Sequence, residues 1–276
     1  MLDSTMAAKP FHETHRMHKQ KFSRRTVLLG AAALGSAPCL SLAADNAEQR
    51  YAVMSIIGDK ITLVGQRQSV GSNLDQNERR VIAISAPALD NSALLAVDDV
   101  VKRLQPKAVT ALLASRDPKL FALQDQPLDK PGDAAESVAA VKTLLQQTKA
   151  TRLILVAPYR AEARFQLQDS FIGSGKISGL GFYVDNITRI KLVNSGESGE
   201  GYLAPYAYIS VSLIDADTMV TLRRQLLTES RLVPTSAAKN ATLPWDALTN
   251  DQKVEMLQAL IRRGINRAIP ELLSGA

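Results

Sequence analysis

The chain has 276 residues, and its 33 lysines and arginines against 27 aspartates and glutamates give a formal net charge of +6. Its single cysteine, Cys39, and its three histidines all lie in the first 43 residues, and without that segment the charge falls to about +2. If the segment is removed, the remaining chain has no cysteine and no histidine. It then cannot use Ser-His-Asp or Cys-His catalysis, bind a metal through thiolate or imidazole, or form a disulfide.

Residues 1–43 have the parts of a secretory signal in the expected order. Arg24 and Arg25 stand before a short apolar run, residues 27–34, which resembles the twin-arginine export motif. Small residues end the segment, so we expect cleavage after Ala43. This pattern predicts an exported, periplasmic protein whose first partner is the twin-arginine export machinery.

An uncleaved membrane anchor is the alternative to cleavage. Gly30, Gly35 and Pro38 interrupt the apolar run, which is much shorter than the roughly 20 residues that a spanning helix needs. We therefore expect contact with the membrane only during export. With a nearly balanced charge and no basic block after the leader, we expect no nucleic-acid partner.

Two β-rich runs, residues 51–57 and 60–66, open the remaining chain. They flank Gly58 and Asp59, a two-residue turn signal that predicts a β-hairpin. Apolar residues at helical spacing predict an amphipathic helix over 93–105, with its N-cap among Asp90, Asn91 and Ser92 and its end before Pro106.

The middle of the chain continues the alternation of strands and helices. Residues 108–114 form a short apolar run typical of a strand, and Asp133 with Glu136 forms a capping-box pattern before a helix that ends near residue 148. The continuous apolar run at 151–158, TRLILVAP, is typical of a buried central strand.

The second half changes to long β segments. Residues 181–194 and 206–227 predict strands, the latter folding back near Asp215. A last amphipathic helix is predicted over about 249–270, with a capping box at its start and Pro270 at its end. Together these elements predict an α/β (α+β) fold over residues 44–276, a single domain with a mixed sheet and about three amphipathic helices.

The stretch DSFIGSGKISGLGFYVDN, residues 169–186, is rich in glycine and contains a lysine, as phosphate-binding loops do. A Walker loop would need glycine at Ser170 and a hydroxyl residue at Ile177, so the pattern fails. Two readings stay open. The glycines shape a turn and a close strand approach, or the loop with Gly173, Gly175 and Lys176 lines a ligand pocket.

A second group of candidates follows the predicted central strand. Tyr159, Arg160 and Arg164 come just past its carboxyl end, which is where α/β sheets tend to bind ligands. Elsewhere, Glu197 and Glu200 could act as paired carboxylates or lie in a solvated loop. No pattern predicts a metal site.

Two passages, GSGKISGLGFYVDN and GYLAPYAYISVSLIDADT, resemble a family of uncharacterised twin-arginine-exported proteins of proteobacteria. The passages ATRLILVAP and YISVSLIDADTMVTLRRQ are also similar to the α/β domains of the TolB amino-terminal part and of the curli-secretion lipoprotein. These resemblances imply a fold and carry no site.

The sequence thus favours a non-catalytic binding or envelope-assembly component, with envelope proteins as partners. The alternative is a periplasmic enzyme or cofactor-binding protein that uses Asp, Glu, Tyr and Arg groups with an imported small molecule. No cofactor is predicted.

Overall fold

The computed structural model describes residues 49–58, 60–67, 75–84, 87–114, 117, 119–120, 123, 128–130, 132–191, 196, 198–237 and 242–274. The predicted signal segment, with Arg24, Arg25 and Ala43, and the loop residue Glu197 lie outside these residues.

The described residues form three α-helices and twelve strands. The helices are α1 (Ala88–Leu104), α2 (Ala135–Thr148) and α3 (Asn250–Leu273). The strands are β1 (Arg50–Ser55), β2 (Lys60–Gly65), β3 (Glu78–Ala83), β4 (Val109–Ala114), β5 (Arg152–Pro158), β6 (Arg160–Glu162), β7 (Phe165–Leu167), β8 (Ser170–Ile172), β9 (Lys176–Lys191), β10 (Ser198–Asp215), β11 (Thr221–Ser230) and β12 (Val233–Pro234).

One large mixed sheet has the order β3-β2-β9-β10-β5-β1-β4. Strands β4 and β5 both run parallel to β1, while β9 and β5 run antiparallel to β10. The predicted fold class, a single mixed α/β domain with three helices, is confirmed.

The long strand β10 forks the sheet, since β9 and β5 share one of its edges. Tyr202 to Tyr208 pair with β9, and from Ile209 to Asp215 the same edge pairs with β5. The opposite edge pairs with β12 and then with β11. At the fork, the Tyr159 amide donates to the carbonyl of Tyr208 at 2.8 Å.

The two faces of the sheet are covered differently. Helices α1 and α3 cover the first face, which is defined by residues such as Val53, Ile154 and Val211. The second face is covered in two separate pieces. Helix α2 packs on Met54 and Leu155, and the β7–β8 hairpin packs on the tyrosines of β9 and β10.

The predicted hairpin of β1 and β2 is wrong. Strand β1 pairs with β4 and β5, and β2 pairs with β3 and β9. Five of the six β1 residues are buried, so β1 needs a sheet neighbour on each edge and cover on both faces.

Two helix starts also differ from the sequence prediction. Helix α1 begins at Ala88, one turn earlier than predicted, because Leu89 adds a buried contact there. Asp90, a predicted cap, lies inside the helix, and its carboxylate accepts a 2.5 Å hydrogen bond from the Ser55 hydroxyl. At α2 the predicted Asp133 cap is wrong, since Ala134 is the N-cap and no side chain caps the helix.

Helix α3 has the predicted capping box, in which Thr249 and Gln252 bond to each other's backbone amides. It continues three residues past Pro270 to Leu273. A proline near the last turn removes a single helix bond, and burial of Leu272 and Leu273 favours the continuation. No helix among the described residues is long and apolar enough to cross a membrane.

Candidate functional site

A cleft of about 580 Å³ opens on the second face of the sheet, at the fork; we call it the fork cleft. Its described lining comes from the segment before α2, the end of β5, the middle of β10 and the start of β11: Leu123, Leu128, Asp129, Leu155, Ala157, Pro158, Tyr159, Arg160, Ser210, Ser212, Ile214, Val220, Thr221 and Arg224.

The cleft exists because small side chains occupy the middle of β10. Even-numbered residues of this strand face the second face, and they change from tyrosine at 206 and 208 to serine at 210 and 212. Residues opposite each other on neighbouring strands lie on the same face. Ser210 is paired with Ala157 and Leu226, and Ser212 with Leu155 and Arg224. The two serines and Ala157 therefore form a shallow floor between larger neighbours.

Two guanidinium groups line the fork cleft. Arg224 donates from Nη2 to the Ser210 hydroxyl at 3.1 Å, and Arg160 stands at the carboxyl end of β5. Neither arginine forms an ion pair with a carboxylate among the described residues. Asp129 is the one acidic residue in the described lining. The described lining of the cleft therefore carries a net positive charge.

A smaller cavity of about 250 Å³ also reaches Arg160. Antiparallel pairing of β6 with the start of β9 sets Arg160 opposite Ser178 and Glu162 opposite Lys176. Lys176 lines this smaller cavity together with Arg79 and the buried Tyr206. Lys176 Nζ lies 3.8 Å from a Glu162 carboxylate oxygen, but both side chains are more than half exposed, so the pair is weak.

Arg79 acts chiefly as a structural cation. It forms an ion pair with Asp75, and its guanidinium also donates to the Lys176 carbonyl at 2.9 Å. Burial tends to raise the pKa of Asp75, but the Lys176 amide and the Arg79 guanidinium outweigh it and hold that pKa below its usual value. These bonds fix the loop before β9 against the segment before β3.

The structure brings together three of the six ligand candidates predicted from the sequence. Tyr159 and Arg160 line the fork cleft, and Lys176 shares the smaller cavity with Arg160. Arg164 lies elsewhere, because its guanidinium stacks over the Phe171 ring at 4.3 Å from the ring centre.

The two glycine candidates do not line either cavity in the described residues. Gly175 has φ of +76°, and a Cβ there would meet the Asp75 carboxylate at 2.5 Å. A Cβ at Gly173 would lie 2.8 Å from the Ala163 carbonyl oxygen. Both glycines thus permit close packing of the loop, which agrees with the conformational interpretation of this stretch.

The tyrosines of the second face are buried and neutral. Burial raises the pKa of Tyr183, Tyr202, Tyr206 and Tyr208 above the ordinary value. The Tyr183 hydroxyl donates to Gln66 at 2.9 Å, and that of Tyr206 donates to the Thr62 carbonyl. These phenols do not ionise near neutral pH, so they are unsuited to act as general bases.

Four residues of the site escaped sequence reasoning: Arg79, Ser210, Ser212 and Arg224. In the sequence alone they match no motif and resemble ordinary strand residues. The available signal was the change from tyrosine to serine at alternate positions of β10, which marks where that face loses its bulk. Among the described residues no group of three or more acidic, histidine or cysteine side chains is placed to hold a metal ion.

No family model matches the sequence, and no curated protein matches it. Among solved structures, a DUF330 protein from Xanthomonas campestris is similar at 10% identity and a TM-score of 0.36, over 82% of this chain and 85% of that one. A hypothetical protein from Chlamydia trachomatis is similar at 9% identity and a TM-score of 0.33, over 82% of this chain and 99% of that one. Both likenesses are weak, and nothing about function follows from them.

Proposed function

We propose that this chain is an exported, non-catalytic binding protein that serves the cell envelope in the periplasm, and that the fork cleft is its ligand site. One observation carries the binding proposal: Arg160 and Arg224 line one cleft and neither is paired with a carboxylate of the described residues. Guanidinium groups bind carboxylates and phosphates through parallel hydrogen bonds. The ligand is therefore an anion.

A non-catalytic role is supported by the groups around the cleft. Ser210 and Ser212 carry hydroxyls, but a nucleophilic serine needs a neighbouring base. The polar group bonded to Ser210 in the described residues is the Arg224 guanidinium, which donates hydrogen bonds and has no acceptor atom. The alternative is an enzyme or cofactor-binding protein that uses Asp, Glu, Tyr and Arg groups with an imported ligand. The buried phenols of Tyr206 and Tyr208 do not support it, because burial raises their pKa and keeps them neutral.

The export part of the proposal rests on the sequence of residues 1–43, with Arg24, Arg25 and the expected cleavage after Ala43. Replacing both arginines by lysine should retain the chain in the cytoplasm, as shown by cell fractionation. N-terminal sequencing of the periplasmic protein should begin near Ala44. A full-length protein in the membrane fraction would overturn export with cleavage and favour an anchor.

The ligand site is tested by native mass spectrometry of protein isolated from the periplasm without detergent. We expect a mass excess over the cleaved chain, which is lost in the double variant Arg160→Gln/Arg224→Gln. The matched control is Arg262→Gln, an exposed arginine on α3. An excess that survives the double variant would place the ligand elsewhere. A wild-type mass equal to that of the cleaved chain would overturn ligand binding and favour protein partners.

A further inference from the structure

The outward face of β11 is unusually apolar for a strand that faces water. Leu222 and Leu226 of β11 are 45% and 48% exposed, and Val220, the residue before the strand, is 43% exposed. The other side of β11 is covered, since Leu227 belongs to the core beneath α3. In an antiparallel sheet, the uncovered face of a strand normally carries polar residues. These exposed side chains therefore mark a surface that a bound molecule could cover.

This apolar surface is continuous with the floor of the fork cleft. Leu226 lies opposite Ser210, and Arg224 lies opposite Ser212. Arg224 reaches Ser210 with its guanidinium, and Leu222 lies at the register shift where Thr221 comes opposite Ile214. Val220 itself lines the cleft. Cations and apolar surface stand side by side on one face.

The inner part of the cleft repeats the same combination. Apolar wall comes from Leu123, Leu128, Leu155, Ile214 and Val220. Arg160 and Arg224 supply positive charge, and Asp129 supplies the one carboxylate in the described lining. A volume of about 580 Å³ lies within the range of roughly 300–1,000 Å³ for sites that enclose a small organic molecule. A free inorganic anion would leave most of this wall uncovered.

We infer that the ligand of the fork cleft is an anionic amphiphile. Its phosphate or carboxylate group is held by Arg160 and Arg224, and its apolar chain lies over Ser210 and Ser212 toward Leu222 and Leu226. This inference rests on the proposed function and narrows its ligand class. Burial of the methylenes of the chain removes apolar surface from water, so the chain supplies affinity that the exposed arginines alone do not.

The test is isothermal titration calorimetry on the processed protein with four probes. These are dodecyl phosphate, dodecanoate, inorganic phosphate and the uncharged dodecyl maltoside, all below their micelle concentrations. We expect dodecyl phosphate or dodecanoate to bind about a hundredfold more tightly than inorganic phosphate. The better of the two anions identifies the head group. Dodecyl maltoside should bind at least tenfold more weakly than that anion.

Two double variants distinguish the contribution of the ligand's charged head group from that of its apolar chain. Arg160→Gln/Arg224→Gln should weaken the anionic amphiphile roughly tenfold or more. Leu222→Ser/Leu226→Ser should weaken it by a similar factor and leave inorganic phosphate unchanged. The controls are Arg262→Gln and Leu95→Ser, the latter an exposed leucine on α1. Circular dichroism checks that each variant keeps its fold.

Several outcomes overturn the inference. Equal affinity for inorganic phosphate and dodecyl phosphate, with dependence on the arginines, would show a site for small anions, and the proposed function would stand. Equal affinity for dodecyl maltoside and for the anionic amphiphiles would show that the ligand does not need a negative charge. If no probe binds but the native protein carries an arginine-dependent mass excess, the amphiphile is wrong and the binding function holds. If no probe binds and the native mass is bare, both are wrong.

Discussion

The two faces of the sheet differ in how completely the protein covers them. On the first face, α1 and α3 pack side by side over one continuous core, and their contacts bury residues from β1 to β11. On the second face, α2 and the β7–β8 hairpin cover separate areas and leave the fork cleft between them. One continuous core thus covers the first face, whereas the second face has an open cleft beside two smaller cores.

The largest effect we expect is at the junction of β2 and β9. A Cβ at Gly181 would overlap with the Thr62 carbonyl oxygen and lie 2.6 Å from the Tyr206 hydroxyl. Gly181→Ala should therefore lower the free energy of unfolding by about 4 kcal/mol or prevent folding. Urea denaturation followed by circular dichroism measures this change.

Gly65→Ala is the matched control for that variant. Gly65 lies at the end of β2, and the nearest atom to its Cβ would be 4.0 Å away. We expect a change of less than about 1 kcal/mol. Equal losses in the two variants would show that the close approach at Gly181 is not what constrains this part of the second face.

A pair of substitutions compares the faces directly. Ile261→Ala, in the middle of α3, should cost about 3 kcal/mol because the side chain is fully buried on the first face. Leu226→Ser, on the second face, should change the free energy of unfolding by no more than about 0.5 kcal/mol. A Leu226 loss as large as that of Ile261 would mean that the outer face of β11 is already covered in the free protein.

A smaller loss than that at Ile261 is expected at the end of β10, where Asp215 holds the turn. The Asp215 carboxylate accepts bonds from the Thr218 amide and hydroxyl at 3.0 and 2.9 Å and pairs with Arg152. The Thr218 amide, followed by the other partners, lowers the pKa of Asp215 against the opposing effect of burial. Asp215→Asn should cost about 1 kcal/mol at pH 7.

The sign of its pH dependence follows from that shift. A carboxylate with a depressed folded-state pKa stabilises the protein above its unfolded pKa of about 3.9, and this contribution disappears as pH falls through the folded pKa. The difference between wild type and Asp215→Asn should therefore shrink from pH 7 to pH 3 in urea denaturation. Asp217→Asn, at an exposed neighbour, is the control. A difference that stays constant with pH would argue against the carboxylate.

Sequence reasoning succeeded where local chemistry decides the structure. The continuous apolar run of β5, the capping box at Thr249 and the turn after Asp215 each act through neighbours close in the chain. It failed at the β1–β2 hairpin, since the turn signal at Gly58 does not specify which strands pair. That choice depends on burying both faces of β1, which only distant residues accomplish.

The same distinction applies to the candidate site, where residues at a recognisable local position were predictable and residues placed by strand register were not. Tyr159 and Arg160 were predictable because the end of a central strand is a local position with a known use. Arg164 follows the same strand, yet the chain turns away and stacks it on Phe171. Arg224 joins the cleft only through the register of β10 and β11, a pairing whose details the sequence does not specify.

The fork in the sheet also has a consequence for how the molecule unfolds. Strand β10 is nearly fully buried and is hydrogen-bonded to β9 in one half and to β5 in the other. Because β10 is the strand that joins the two halves, we expect them to melt in one cooperative transition. The amides of β10 then open only with global unfolding, and their hydrogen exchange reports the stability of the whole domain.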